Sequence, residues 1–276
     1  MAAVEHTEDD ADVSVEELER VWTTTIAHLR AQVFSSLDAS ESYPPKEPGS
    51  DLAEDDAACT EAFWGSTIVG LGMSTAQDSL KAAIALDEAG HRPVVATTVL
   101  ARTTIETAAS GLWLLQPQSH PERVCRTLRW WHQNGADQRK SMRHLDPDNV
   151  SHSATLDSDH ADLQRQIRAV ATANGIAEKD ALGSASATEM IREAGGDGAL
   201  LVWTAASGVA HGRFWTATGI GMDTVLIEGP DGDVALTSQN RHQTLTTLLK
   251  AAVCLLELHE LVLKRGGGSA VGLDVN

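Results

Sequence analysis

Residues 93–115 are built mostly of Val, Ala, Thr, Ile, Leu and Trp, and the stretch carries only two charged side chains, Arg102 and Glu106. A helix through it would be apolar nearly all round and therefore buried. The four-residue spacing sets the guanidinium and the carboxylate side by side on one helix face. An unpaired ion in a low-dielectric interior costs several kcal/mol or is driven to its neutral form. The stretch therefore predicts a central helix carrying an interior ion pair, with the rest of the chain packed around it.

The flanking sequence reads as further helices. Ser14 with Glu17 makes a capping box before Val15, Leu18, Val21, Ile26, Leu29, Val33 and Leu37, the spacing of one amphipathic helix. Residues 39–58 are acidic and rich in Pro, Ser and Gly, the composition of a flexible connector. A second helix is predicted over residues 60–89. Gly65, Gly70 and Gly72 inside it either break it or let a neighbouring backbone approach closely. Pro93 opens the central helix, and Ser119 with Glu122 caps the next one, which closes at a turn over Asp146, Pro147, Asp148 and Asn149. Helices follow near residues 156–174, from Ser186 to Gly195-Gly196, and over residues 199–211. Met222–Ile227 and residues 233–237, joined by Glu228-Gly229-Pro230-Asp231-Gly232, alternate as a β-hairpin does. The last helix spans about residues 241–264. The expected fold is an all-α helical bundle with one small β-hairpin inserted before the last helix. Its parts are an acidic N-terminal helix (1–38), a flexible acidic linker (39–58), a bundle core (59–265) and a disordered tail (266–276).

Charge narrows the function. The net charge is −18, which argues against a broad nucleic-acid or anionic-membrane surface. Much of the acid lies in residues 1–62, where only Arg20, Arg30 and Lys46 oppose it. Cys59, Cys125 and Cys254 are scattered and odd in number, so neither a disulfide framework nor a zinc site is suggested. The first residues lack the basic and apolar regions of a signal peptide, and no long uncharged apolar run occurs. A cytoplasmic protein without a membrane partner is expected.

Interior polar residues recur on later helices. In the stretch 199–211, Leu200, Thr204, Ser207 and His211 share a face. In the last helix His259 lies within the stripe of Leu245, Leu249, Ala252, Leu256 and Leu263. Arg102, Glu106, Ser207, His211 and His259 are thus expected either to satisfy one another as a structural network or to line a pocket for a small anionic ligand held by Arg102 and His211. Ser207 lacks the G-x-S-x-G elbow of an activated nucleophile. Glu88-Ala89-Gly90-His91 matches one Glu-x-x-His, where a di-iron bundle needs two and further glutamates. With no His-Glu-x-x-His and no phosphate-cradling glycine loop, neither a metal nor a cofactor is expected.

A basic island follows the central helix. Arg123, Arg126, Arg129, Arg139, Lys140 and Arg143, with His120, His132 and His144, face only Glu122 and Asp137. Val124, Leu128 and Trp131 form the packing face, so Arg123, Arg126 and Arg129 are expected to fan over the outer side. There they would balance the acidic N-terminal region or form an anion or RNA contact.

The stretch A-R-T-T-I-E-T-A-A-S-G-L-W-L-L-Q-P (residues 101–117), with Glu122-Arg123 and Arg126 after it, resembles a segment of uncharacterised helical proteins of actinobacteria. Those also carry a late helix similar to S-G-V-A-H-G-R-F-W (residues 207–215). The resemblance implies that Arg102, Glu106 and His211 belong to one recurring core arrangement. More distantly, such proteins resemble the HEPN superfamily, which includes metal-independent RNases of toxin and antiphage systems. Their motif is Arg followed after four to six residues by His. Arg126 with His132 and Arg139 with His144 fit that spacing, with Thr127 and Lys140 where the family usually has Asn, His or Asp. Two readings result. In the first the chain is a non-catalytic or small-ligand-binding bundle, a homodimer with a structural polar cluster. In the second it is a HEPN-like RNase dimer acting on RNA.

Overall fold

The computed structural model describes residues 14–35, 46–91, 93–145, 150–213, 222–227, 234–239 and 241–268. Nine α-helices stand among them: α1 (Val15–His28), α2 (Asp51–Ala58), α3 (Gly65–Glu88), α4 (Val94–Leu115), α5 (His120–Leu145), α6 (Val150–Ala173), the short α7 (Glu178–Ala181), α8 (Ala187–Ala210) and α9 (Arg241–Gly266). A π-helical turn, Leu29–Phe34, continues α1, and a 3-10 turn, Glu61–Phe63, precedes α3.

The apolar helix α4 occupies the centre, packed by α3, α8 and α9. Ala101, Ile105, Ala108, Ala109, Leu112 and Trp113 are all buried, and the small residues among them let neighbouring backbones come close. Gly72 of α3 shows how close: a Cβ there would stand 3.1 Å from the carbonyl oxygen of Thr107. Thr104 Oγ1 donates to Leu100 O at 3.0 Å and to Ala76 O of α3 at 3.3 Å, so this buried hydroxyl is satisfied without a polar neighbour side chain. The amphipathic helix α1 lies on α9 and buries Trp22 and Ile26, followed by Leu29 and Val33 of the π turn. Each such side chain contributes about 1.5–3 kcal/mol on leaving water.

A second, smaller core sits beside the first. Helices α5 and α6 form an antiparallel hairpin whose inner half packs Val124, Leu128, Ile167, Val170 and Ala171 with Phe63 and with Ala181 of α7. Trp131 bridges the two cores.

Several expectations are corrected. Residues 39–58 are not a connector throughout: Asp51–Ala58 is helical, capped by the Ser50 hydroxyl on the amide of Ala53. It buries Leu52, Asp55 and Asp56, because its carboxylates meet cationic and amide partners that local composition does not reveal. The glycines of α3 do not break it, since the helix runs unbroken from Gly65 to Glu88. The stretches around Gly195-Gly196 join across a kink at Gly196, whose φ of 70° suits glycine. In α9 the buried stripe is centred on Leu248, Leu255 and Val262 rather than on Leu249, Leu256 and Leu263. Helix α9 also runs through Gly266, with Arg265 buried, so a tail cannot begin at 266.

Met222–Ile227 and Val234–Gln239 run antiparallel, Met222 opposite Gln239 and Ile227 opposite Val234. The residues joining them and all side chains of the pair lie outside the described residues, so the expected hairpin insertion is not supported beyond this pairing. Leu37, residues 39–45, the turn at residues 146–149 and the chain after residue 268 also lie outside.

Gly72→Val should destabilise the fold by about 1–3 kcal/mol, the usual cost of overpacking. Gly198→Ala, where a Cβ meets nothing within 4 Å, should leave the melt unchanged or raised. Thermal denaturation followed by circular dichroism reads both.

Candidate functional site

The expected pair forms where α4 faces α8. Arg102 Nη2 lies 2.9 Å from Glu106 Oε2, with the two side chains 24% and 34% exposed. Arg102 Nε donates to Ser207 Oγ at 2.7 Å, and Trp203 Nε1 donates to Glu106 Oε2 at 3.0 Å. The guanidinium also sits 5.3 Å from the centre of the Trp203 ring. Arg102, Glu106, Trp203 and Ser207 thus make a four-residue ring of contacts at a half-buried position, not a fully buried one. Ser207 is no nucleophile in this setting. Its hydroxyl proton goes to Trp203 O at 2.8 Å, its oxygen accepts from Arg102, and neither partner is a base.

The two histidines stand elsewhere. His211 is exposed at the end of α8, its backbone N–H bonded to Ser207 O. Among the described residues no hydrogen bond or ion pair joins it to Arg102 or Glu106. His259 is buried on α9, and the imidazole with which it interacts is His28 of α1. Burial, together with His28, holds His259 below the usual 6.5. Helical spacing placed these residues on the right elements but could not orient the elements about their axes.

The most deeply buried charges lie at the C-terminal end of α4. The last turn of a helix leaves carbonyls without intrahelical donors, and here two arginines from distant parts of the chain serve Leu115 O of that turn and the carbonyls of Pro117 and Gln118 just past it. Arg265 of α9 donates from Nε to Leu115 O at 3.1 Å and from Nη2 to Pro117 O at 3.0 Å. Arg123 of α5 donates from Nη1 to Pro117 O at 3.1 Å and to Gln118 O at 3.0 Å. Helix α2 provides the counter-charges. Arg123 grips Asp55 in a fork, Nε to Oδ2 at 2.6 Å and Nη2 to Oδ1 at 3.0 Å. His120 Nδ1 reaches Asp55 Oδ1 at 2.6 Å, and Arg265 Nη1 donates to Asp51. The hydrogen bond from Arg265 holds the Asp51 carboxyl below 3.8, against burial, with Arg123 adding to the effect. Arg123 and Arg265 are only 2% and 4% exposed.

Asp56, next along α2, performs the matching task at the other kind of helix end. It accepts the backbone N–H of Ser66 at 3.1 Å and the Ser66 hydroxyl, both in the first turn of α3, while Lys46 Nζ neutralises it at 2.9 Å. A carboxylate at a helix N-terminus is favoured by hydrogen bonding and by the helix dipole together.

The expected anion patch is therefore turned inward. Arg126 Nη1 donates to Trp113 O at 2.7 Å, and Nη2 reaches Glu193 at 3.1 Å and Glu122 at 3.0 Å. Arg129 Nε donates to Ser184 O at 3.0 Å, and Nη2 meets Glu189 at 2.8 Å. Both guanidiniums lie against the fully buried Trp113 ring, at 4.9 and 5.3 Å from its centre. The correction has one cause: the inner half of α5 lies beside α2, the end of α4 and the first turns of α8, which bring carboxylates and carbonyls to Arg123, Arg126 and Arg129.

The Arg–His pairs of the RNase motif do not meet one another. His132 faces His160 and Gln164 of α6, while Arg126 points to Trp113 and Glu193. Arg139 and Arg143 both bind Asp157, and His144 is exposed. No protein-family model, curated protein or solved structure matches this chain. Among the described residues no group of three or more His, Cys, Asp or Glu could hold a metal. The thiols are poor nucleophiles: burial, then Asp56 and Asp55, pushes Cys59 up to about 12, and burial pushes Cys254 up to about 11.

Sequence reasoning missed Asp51, Asp55, Asp56 and Arg265, and with them Asp87. Asp87 ties α3 to Arg241 of α9 at 2.6 Å and to Trp22 Nε1 of α1 at 3.2 Å. The one local signal for the first group was Ser50 followed by Asp51 and Glu54, a helix start read as linker acid.

Arg123→Met, which leaves the buried Asp55 carboxylate without its fork, should cost about 3–5 kcal/mol. Arg102→Met, at a half-exposed pair, should cost about 1 kcal/mol or less. Urea denaturation of the two variants beside wild type measures the ranking.

Proposed function

We propose that the chain is a non-catalytic helical-bundle protein whose interior charges are structural, and that it acts by binding rather than by chemistry. One observation carries this reading. Arg123, Arg126, Arg129 and Arg265 all have their guanidiniums engaged by carbonyls and carboxylates of the same chain. A catalytic or phosphate-binding arginine must keep donors for its substrate. A small anionic ligand, in this reading, would approach Arg102, which is partly open to solvent and backed by the Trp203 ring. The free cysteines suit a reducing compartment such as the cytoplasm, and no described helix is long and apolar enough to cross a membrane.

Native mass spectrometry of the purified full chain, with a gel assay on short RNA at physiological salt, tests the proposal and reads the expected dimer in the same spectra. The expected result is no RNA complex and no cleavage. A retained small-molecule mass that disappears in Arg102→Lys would assign the ligand-binding form. RNA cleavage that survives repurification and is lost in His144→Ala would overturn the proposal in favour of the HEPN-like nuclease.

A further inference from the structure

The α5–α6 hairpin changes character along its length. Near the body its seam is apolar, with Val124 and Leu128 against Ile167 and Val170. Farther out the facing residues are His132 against His160 and Gln164, then Arg139 and Arg143 against Asp157. The two imidazoles stack with ring centres 5.8 Å apart and planes 26° from parallel. Gln164 Nε2 stands 3.2 Å from Nε2 of each. Nδ1 of each ring is buried and has no hydrogen-bond partner among the described residues. Gly135 makes room for this packing, since a Cβ there would collide with Leu163 and come 3.8 Å from His160 Nδ1.

One amide nitrogen carries two hydrogens. It can donate one to each Nε2 only if both rings are neutral, with their own protons on Nδ1. Protonating either ring sets an N–H against an N–H. Turning the amide end for end would offer its oxygen, but the Nδ1–H of an imidazolium would still lack an acceptor, and an unmade bond costs more for a charged donor than for a neutral one. The charged and titratable groups that face His160 are Arg139 and His132 on α5 and Asp157 on α6. Asp157 is the one acid among them, and Arg139 and Arg143 already engage it.

We propose that the stacked His132 and His160 make the outer half of this hairpin a proton-released latch, closed by the amide they share and opened when His160 takes up a proton. The electrostatics agree. Burial, then Arg139 and His132, hold His160 below 6.5, with Asp157 opposing. A histidine so depressed takes up its proton in the open state first. The latch therefore holds in full above about pH 6.5 and weakens as pH falls from there toward the lowered folded value.

Hydrogen exchange of the full chain, corrected for intrinsic rates and read peptide by peptide between about pH 7.5 and about pH 5, tests this. Peptides within residues 132–145 and 151–164 should lose roughly tenfold or more of their protection across the range, while those of α4 keep theirs. In H132Q/H160Q the hairpin peptides should show no such dependence. The His160 imidazole resonances of the wild-type protein, followed by NMR, should titrate together with the loss of protection, whatever the stability of the variant. Protection independent of pH, loss shared equally by α4, an unaltered dependence in the double variant, or a His160 imidazole titrating apart from the opening would each overturn the proposal.

Discussion

Two guanidiniums close the C-terminal end of the central helix, and the positions of five helices depend on that closure. Helix α4 is mostly apolar, so packing satisfies most of its sides, with Arg102 and Glu106 paired to each other and to α8. The carbonyl of Leu115 at its end and those of Pro117 and Gln118 just beyond need donors from elsewhere in the chain. Arg123 and Arg265 reach them from α5 and α9, while Asp51 and Asp55 of α2 hold the arginines. Arg123, Arg265 and Asp55 alone would each be a buried liability of several kcal/mol, and together with the more exposed Asp51 they neutralise one another and fix where three helices may stand relative to the fourth. Asp56, one residue on, anchors the start of α3. A short helix read by composition as a linker thereby joins the rest of the bundle.

The parts of this arrangement that could be read from sequence are those carried by local pattern. The apolar stretch holding Arg102 and Glu106 marked the central helix, capping residues marked the starts of α1 and α8, and the four-residue spacing marked the ion pair that forms at 2.9 Å. What sequence could not supply is the partner of a charge when that partner is far away. Arg123 and Asp55 are 68 positions apart, and Arg265 and Leu115 are 150 apart. Viewed locally, Arg123 belongs to a basic island and Asp55 to an acidic linker, and each looks like solvated surface. His211, expected inside, stands exposed, and His259 is buried as expected but interacts with His28. Their helices were correctly found, but a helix turned by part of a residue step carries a side chain from one neighbour to another.

The same geometry bears on function. A strongly acidic chain with a basic island invites a search for an anionic partner of that island. Arg123, Arg126 and Arg129 instead meet carboxylates and carbonyls of their own chain, which leaves half-exposed Arg102 and the outer hairpin as the places where chemistry remains open. In the hairpin, polar residues replace the apolar seam, and a polar seam makes its stability answer to solution conditions as an apolar one would not.

A double-mutant cycle on Arg123→Met and Asp55→Leu, measured by urea denaturation, addresses the clamp most directly. If the two residues neutralise each other at the end of α4, the pair of changes should cost far less than the sum of the single ones, with a coupling of about 2 kcal/mol or more. Effects that add to within about 0.5 kcal/mol would contradict the account, because they would mean that neither charge depends on the other to remain inside the fold.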